Sequence, residues 1–219
     1  MGNLRAFLSG TRIMDQVVSP INGKITVERS LAFGTYIHVA NLTQSGGIIY
    51  DIWKKPLKKV AGSKQQVARV LILGLGGGTV VKLIRKLWPE AKITGVDIDH
   101  IMVELGKKYL KLDEKEIEIV VGDAYEFVAK KLKNKKTEKY DLILVDLYVG
   151  DNFPEKFELQ EFLASTRTIL AEYGVVVFNR LYYGQKRTQA VKFGKTLEKI
   201  FKSVEVVYPE ANIMFLCQN

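Results

Sequence analysis

A chain of 219 residues with 47% hydrophobic, 26% charged and 10% aromatic content has the mix of a globular protein and excludes a disordered or fibrous one. Its 33 Lys and Arg against 24 Asp and Glu give a formal charge of +9, which admits nucleic acid as a weak partner, although many lysines are interleaved with glutamates. A single cysteine, Cys217, and two histidines, His38 and His100, exclude an internal disulfide and a His-rich metal centre, and no apolar run reaches the ~18 residues that span a bilayer. The expectation is therefore a cytoplasmic protein without a metal or a membrane contact.

Residues 22 to 52 alternate short apolar and polar runs around the turn signals Gly34 and Gly46-Gly47, which predicts a small antiparallel β-element. His38 alternates there with Tyr36 and Ala40, a surface or packing position. Residues 53 to 66 are Lys-rich with Pro56 and Gly62 and read as a short helix and a linker. This divides the chain into a β-element with its linker over residues 1–62 and a larger domain over 63–219. From Val67 the pattern changes to strand-helix alternation. Strands are expected at Val67–Leu73, Ile93–Val96, Ile117–Val121, Leu142–Val145 and Val175–Phe178, with helices at Val80–Leu87, Ile101–Tyr109, Tyr125–Leu132, Leu159–Leu170 and Thr188–Phe201. The dense basic stretch with Lys130, Lys131, Lys133, Lys135 and Lys136 reads as a helix end running into a polar loop. Strands Val204–Tyr208 and Ile213–Cys217 are joined by Pro209-Glu210-Ala211-Asn212, short enough for a hairpin, and Cys217 belongs to the core. The whole predicts an α/β fold, a doubly wound and mostly parallel seven-stranded sheet whose closing hairpin adds one antiparallel strand.

The residues with chemical meaning lie at the carboxyl ends of these strands. Val70-Leu71-Ile72-Leu73 runs into Gly74-Leu75-Gly76-Gly77-Gly78-Thr79 and a helix. Glycines at 74, 76 and 78 let backbone approach a ligand, and a helix N-terminus offers N–H groups and positive potential. A dinucleotide fingerprint needs a third glycine at position 79, where this chain has Thr79. Asp97 ends the next strand, where a carboxylate can accept both hydroxyls of a ribose, while Asp99 can cap the following helix and leave His100 in its exposed first turn. Asp123, before Ala124, can bond an adenine amino group or cap a helix. Asp146 sits where the reacting end of the ligand should lie, a helix cap being its bland alternative.

The run Val70 to Lys82, Asp97-Ile98-Asp99, Gly122-Asp123, Tyr140 to Asp146, Gly174-Val175-Val176 and Ile213 to Cys217 closely resemble the spermidine synthase family. That resemblance covers roughly residues 22 to 219 and implies a class I S-adenosylmethionine-dependent methyltransferase-like Rossmann fold with a small N-terminal β-element. Ile72 fits it, since ordinary class I methyltransferases usually carry an acid there. The implied cofactor is S-adenosylmethionine or its decarboxylated form, held by Gly74, Gly76, Gly78, Thr79, Asp97, Asp123 and Ala124. The implied catalytic residues are Asp146, to orient or deprotonate the acceptor, and Tyr50, which resembles the family tyrosine beside the acceptor amine. The implied partners are a small-molecule acceptor, an amine, and a second copy of the chain in a homodimer.

The departures bear on the donor. Gly77 stands where the family has an aspartate, Val149 replaces a second acid after Asp146, and the acceptor loop is short. Decarboxylated S-adenosylmethionine ends in a bare ammonium that wants a carboxylate, whereas the intact donor carries its own. An absent acid at 77 therefore favours intact S-adenosylmethionine and transfer of its methyl group to an amine. The alternatives are aminopropyl transfer from the decarboxylated donor to a polyamine, and a non-catalytic nucleic-acid-binding protein on the same fold.

Overall fold

The computed structural model describes residues 10–40, 42–63, 66–133 and 138–219. Lys135 and Lys136 of the basic stretch lie outside them. The chain opens with an antiparallel meander of four strands in order β1-β2-β3-β4: β1 (Thr11–Ser19), β2 (Gly23–Ser30), β3 (Gly34–Val39) and β4 (Leu42–Gly46). The first strand precedes the expected start at residue 22. It has no buried apolar stripe to betray it, because Ser19 is its only buried residue and a register shift between Ile13 and Asp15 breaks its alternation. Backbone pairing with β2 holds it in place. The inner face of the meander is legible by its period of two: Ile25, Val27, Ile37 and Val39 are buried against Met102, Leu105 and Leu110.

Helix α1 (Ile49–Gly62) replaces the expected short helix and linker. It runs through Pro56 and buries Ile52, Trp53, Pro56, Leu57 and Val60, the spacing of one helical stripe. Losing one backbone hydrogen bond at Pro56 is outweighed by packing this stripe on the large sheet.

That sheet has seven strands, β5 (Arg69–Leu73), β6 (Lys92–Asp97), β7 (Glu118–Val121), β8 (Tyr140–Val145), β9 (Leu170–Leu181), β10 (Ser203–Val207) and β11 (Asn212–Gln218), in order β10-β11-β9-β8-β5-β6-β7. Only β11 runs against the others, pairing antiparallel with both β9 and β10. Helices α2 (Thr79–Leu87), α3 (His100–Leu110), α4 (Ala124–Lys133), α5 (Gln160–Thr168) and α6 (Lys186–Leu197) alternate with the strands. Successive residues of the central strands feed two cores. Ile72, Leu142, Leu144 and Val177 join one with α1 and α2, and Leu71, Leu73, Ile143 and Phe178 the other with α5 and α6. Burial on both faces explains why these strands read as unbroken apolar runs. Cys217 is fully buried, as expected, and burial pushes its thiol well above the usual range.

Strand β9 runs past the expected Phe178 to Leu181, because Asn179 and Arg180 continue the ladder opposite Met214 and Ile213. An apolar-run criterion stops at the first polar residue, but here both polar side chains are buried and partnered, Asn179 with Asp146 and Arg180 with Glu158. The order of the strands reverses between β5 and β8, and ligands in such sheets bind at the carboxyl ends beside that reversal. Among the described residues no helix is long and apolar enough to cross a membrane.

Candidate active site

The loop after β5 is pressed against the end of β8. A Cβ at Gly74 would lie 2.1 Å from the Asp146 carbonyl oxygen, and φ at Gly74 is +89°, so only glycine serves there. The loop's amides are consumed internally. Gly74 and Leu75 donate to the Val96 carbonyl, Gly76 to Asp97 Oδ2 at 2.6 Å, Gly77 to Ser45 Oγ at 2.7 Å and Gly78 to the Leu75 carbonyl. No loop amide is left for a phosphate, which separates this glycine turn from a dinucleotide cradle and suits a nucleoside without one.

Gly74, Gly76, Asp97, Asp123, Ala124 and Asp146 line one cavity of about 260 Å³, together with Gln44, Tyr148 and Lys156. Asp97 accepts from Gly76 and, through Oδ1, from the Asp99 amide at 2.9 Å, so the loop and the next turn aim it at the cavity. Burial pushes its carboxyl up to about 6, against the pull of those two amides, and the charges of Asp99 and Asp146 add to the rise. Asp99 caps α3 through the Ile101 amide at 3.0 Å and also receives Ser19 and Asn22 from the meander. That leaves Asp97 free for the cavity, as the sequence suggests, and His100 exposed.

Asp123 does two things. It caps α4 through the amides of Tyr125 and Glu126 and pairs with the Lys156 ammonium. Burial raises its carboxyl, but that ammonium and the helix amides hold it below the ordinary value.

Three expected residues stand elsewhere. Gly78 lies behind the loop at φ +78°, where a Cβ would meet Leu112 at 2.5 Å. Thr79 is buried, and its hydroxyl accepts the Gly46 amide at 2.6 Å, so it fastens the meander to the loop rather than meeting a ligand. Tyr50 packs on the core formed by α1 and lines neither cavity at the site. The reason is helical geometry: Ile49 and Ile52 line a second cavity on the far side of Asp146, and Tyr50 leaves the helix about 100° round from Ile49 and away from Ile52. Trp53 reaches the site in its place, donating its indole N–H to Asp146 Oδ2 at 3.1 Å.

Gly77 does not line the cavity either. A Cβ there would meet Leu110 at 2.8 Å and Ile37 and Ser45 at 3.0 Å. The residue is a packing contact between loop, α3 and meander. Gly77→Ala is expected to cost about 1–3 kcal/mol of stability by overpacking, read as a lower midpoint in urea denaturation with nucleoside affinity retained once folded.

Asp146 is the hub. Its Oδ1 accepts from Asn179 Nδ2 at 2.7 Å, and Asn179 in turn accepts from Asn212 at 2.7 Å. Burial raises its carboxyl above the usual range, against the pull of Asn179 and Trp53. No cation among the described residues is bonded to it. Beyond Asp146 lies a second cavity of about 320 Å³, lined by Ile49, Ile52, Tyr183, Glu210 and Asn212 among others. Gln44, Asp146 and Tyr148 line both cavities and form the wall between them. The Tyr148 hydroxyl is fixed by the Leu181 amide at 2.8 Å, and Gln44 Nε2 donates to the Gly150 carbonyl at 2.9 Å. Sequence reading missed Gln44, Trp53, Tyr148, Lys156 and Asn179. Only Asn179, a lone amide ending an apolar strand, carried a local signal.

The chain is similar to several known proteins. A polyamine aminopropyltransferase of Vibrio vulnificus strain CMCP6 is 33% identical over 133 residues, which are 58% of this chain and 44% of that protein, so this chain spans less than half of that relative. An eEF1A lysine and N-terminal methyltransferase homolog of Drosophila melanogaster is 29% identical over 143 residues, 62% of this chain and 20% of that protein. The spermidine synthase crystal structure from Thermotoga maritima superposes with a TM-score of 0.76 at 20% identity, covering 94% of this chain and 72% of the other. The family model described as the spermine/spermidine synthase domain matches residues 51–213, from the first turn of α1 to the start of β11. The glycine turn and the strand-end acids fall inside that span, and the chain belongs to the spermine/spermidine synthase domain family.

Proposed function

We propose that this chain transfers an aminopropyl group from decarboxylated S-adenosylmethionine to an amine of a polyamine. The observation that carries the reading is the pair of cavities meeting at a buried carboxylate, Asp146, that has no cationic partner among the described residues. A charge held in a low-dielectric site without a counterion is costly and is relieved by a cationic ligand.

The balance of charge supports the decarboxylated donor. Asp97, Asp123 and Asp146 line the donor cavity against one ammonium, Lys156, already committed to Asp123. The lining thus carries more acids than cations, an excess from which a sulfonium and a bare ammonium both gain. In the acceptor cavity the charged lining residues are Asp146 and Glu210, both acidic.

When bound, the donor supplies a carbon next to its sulfonium; the amine nitrogen attacks it in line, the C–S bond breaks, and methylthioadenosine leaves with the electron pair. The residues supply position and proton handling. Asp97 receives the ribose hydroxyls, the wall of Gln44 and Tyr148 sets the angle at which the second cavity meets the first, and Asp146 takes the proton the amine sheds. Holding nucleophile and electrophile in one geometry is a large contribution to such a displacement, and a raised carboxyl makes Asp146 a stronger base than a surface aspartate.

The methyltransferase homolog among the relatives keeps methyl transfer from intact S-adenosylmethionine as a second reading. The test offers the protein each donor with a diamine and separates products by mass. The expected result is an amine heavier by one aminopropyl group with the decarboxylated donor and no methylated amine with the intact one; the reverse would overturn the proposal.

A further inference from the structure

Segment 148–158, which follows β8, supplies Tyr148, Val149, Pro154, Lys156 and Phe157 to the donor cavity. Its only regular structure is a bridge between Val149 and Asn152 and one 3-10 turn at Glu155–Phe157, so its course is set by what it is tied to. The buried tie is Arg180. Asn179 and Arg180 are consecutive on β9 and face opposite ways: Asn179 meets Asp146, while Arg180 turns to the segment and pairs through Nη2 with Glu158 at 2.7 Å. Its guanidinium carbon lies 4.1 Å from the Phe153 ring centroid and 4.6 Å from that of Phe193 on α6. Phe153 in turn meets the Tyr148 ring edge-on, with centroids 5.4 Å apart. The Arg180 side chain is only 4% exposed, lines neither the donor nor the acceptor cavity, and keeps Nη1 without a hydrogen-bond partner among the described residues.

We infer that Arg180 is a positioning residue for the transfer reaction, clamping segment 148–158 so that Tyr148 stands between the two cavities and Lys156 reaches Asp123. This role rests on the reading of the two cavities as donor and acceptor sites, and it belongs to a residue that lines neither. Stability does not account for the arginine. Burying a guanidinium costs desolvation, here with one nitrogen left unpaired, and an apolar side chain of similar volume often fills such a position at no loss. What an apolar residue lacks is direction. The ion pair holds Glu158, which directly follows the turn that carries Lys156, and the ring contact holds Phe153 against Tyr148. Lys186 also holds Asp151 of the segment, but the Asp151 side chain is 60% exposed and water screens that pair.

The test compares the wild type with Arg180→Met, Glu158→Ala and the double variant by thermal melt, by calorimetric titration of methylthioadenosine and by kinetics with the decarboxylated donor and a diamine. Methionine fills the space beside Phe153 and Phe193, so Arg180→Met is expected to melt at or above the wild-type midpoint. Its kcat is expected to fall about 10- to 100-fold, the cost of misplacing reacting groups by about 1 Å. Its methylthioadenosine affinity should drop about three- to tenfold as a preorganised wall of the donor cavity loosens. The acceptor KM should change less than about twofold, because Ile49, Ile52 and Asn212 of that cavity lie on other elements. Glu158→Ala should lower kcat as well, and the double variant should be no worse than Arg180→Met, since both act through one contact. A folded Arg180→Met with wild-type kcat and nucleoside affinity, or losses that add in the double variant, would overturn the clamp. Should Arg180→Met not fold, Glu158→Ala decides: its side chain is 39% exposed and its truncation spares the core, so a lowered kcat supports the clamp and an unchanged one refutes it. Should the wild type transfer no aminopropyl group, the aminopropyl reading fails by itself, and the methylthioadenosine titrations decide the clamp separately. Weaker binding by Arg180→Met then supports it, and equal or absent binding refutes it.

Discussion

Replacing Asp146 with asparagine is expected to lower kcat by about 10²–10⁴-fold, the usual worth of a positioned general base, while donor affinity changes little. The substitution keeps the size and polarity of the side chain between Asn179 and Trp53 but removes the charge and the ability to take a proton. Circular dichroism and a thermal melt separate lost chemistry from lost fold. The pH profile carries a second signature. Burial raises the Asp146 carboxyl, so its ionised, active form is lost on acidification at a higher pH than for an ordinary aspartate. In the wild type the rate should fall as pH drops through that raised value, and the residual rate of the variant should lack this limb. A kcat close to wild type, or an unchanged acid limb, would remove Asp146 from the reaction.

Asp97→Ala acts on the donor instead. Two charge-assisted hydrogen bonds to a ribose are each worth about 1.5–3 kcal/mol, so nucleoside affinity should drop by about 10²–10⁴-fold. Asp97 also accepts the Gly76 and Asp99 amides, at 2.6 and 2.9 Å, so part of the loss comes from a loosened loop. The pH dependence isolates the carboxylate. Its value of about 6 means that it is mostly ionised at neutral pH and half protonated near that value. Affinity for methylthioadenosine, measured by calorimetry, should therefore be full well above about 6, have begun to fall at that value and decline steadily below it. The alanine variant should bind weakly at every pH without that decline. Equal affinity in the two proteins would mean that the nucleoside lies elsewhere.

What could be read from the chain alone follows from periodicity and from the steric demands of single residues. Strands β5, β6 and β8 are buried on both faces, so they read as apolar runs, and the meander's β2 and β3 show a period of two because only one face is covered. Gly74, Asp97 and Asp146 were legible because a parallel sheet puts the ends of its strands, and whatever follows them, on one edge. By the same local logic β1 was invisible, since little of it is buried, and α1 was read only as a short helix within residues 53 to 66, its first turn having been assigned to the β-element.

The identity of each side chain's partner was decided by the fold. Trp53 and Asn179 meet at Asp146 from 93 and 33 residues away, and Ser45 and Thr79 tie the meander to the glycine loop from sequence separations of 32 and 33 residues. Position 77, which in one dimension looks like a missing donor contact, is filled in three by Leu110, Ile37 and Ser45. Tyr50 and Trp53 are neighbours on one helix, yet only the Trp53 indole reaches the carboxylate while Tyr50 packs on the core, a difference that the sequence does not show. The sequence by itself thus determined the sheet, its helices and the acids along its carboxyl edge, since those depend on local pattern. Tertiary structure alone decided which groups wall the two cavities and which loop atoms remain free, because a hydrogen bond of 3 Å depends on register and packing between segments that no local pattern relates.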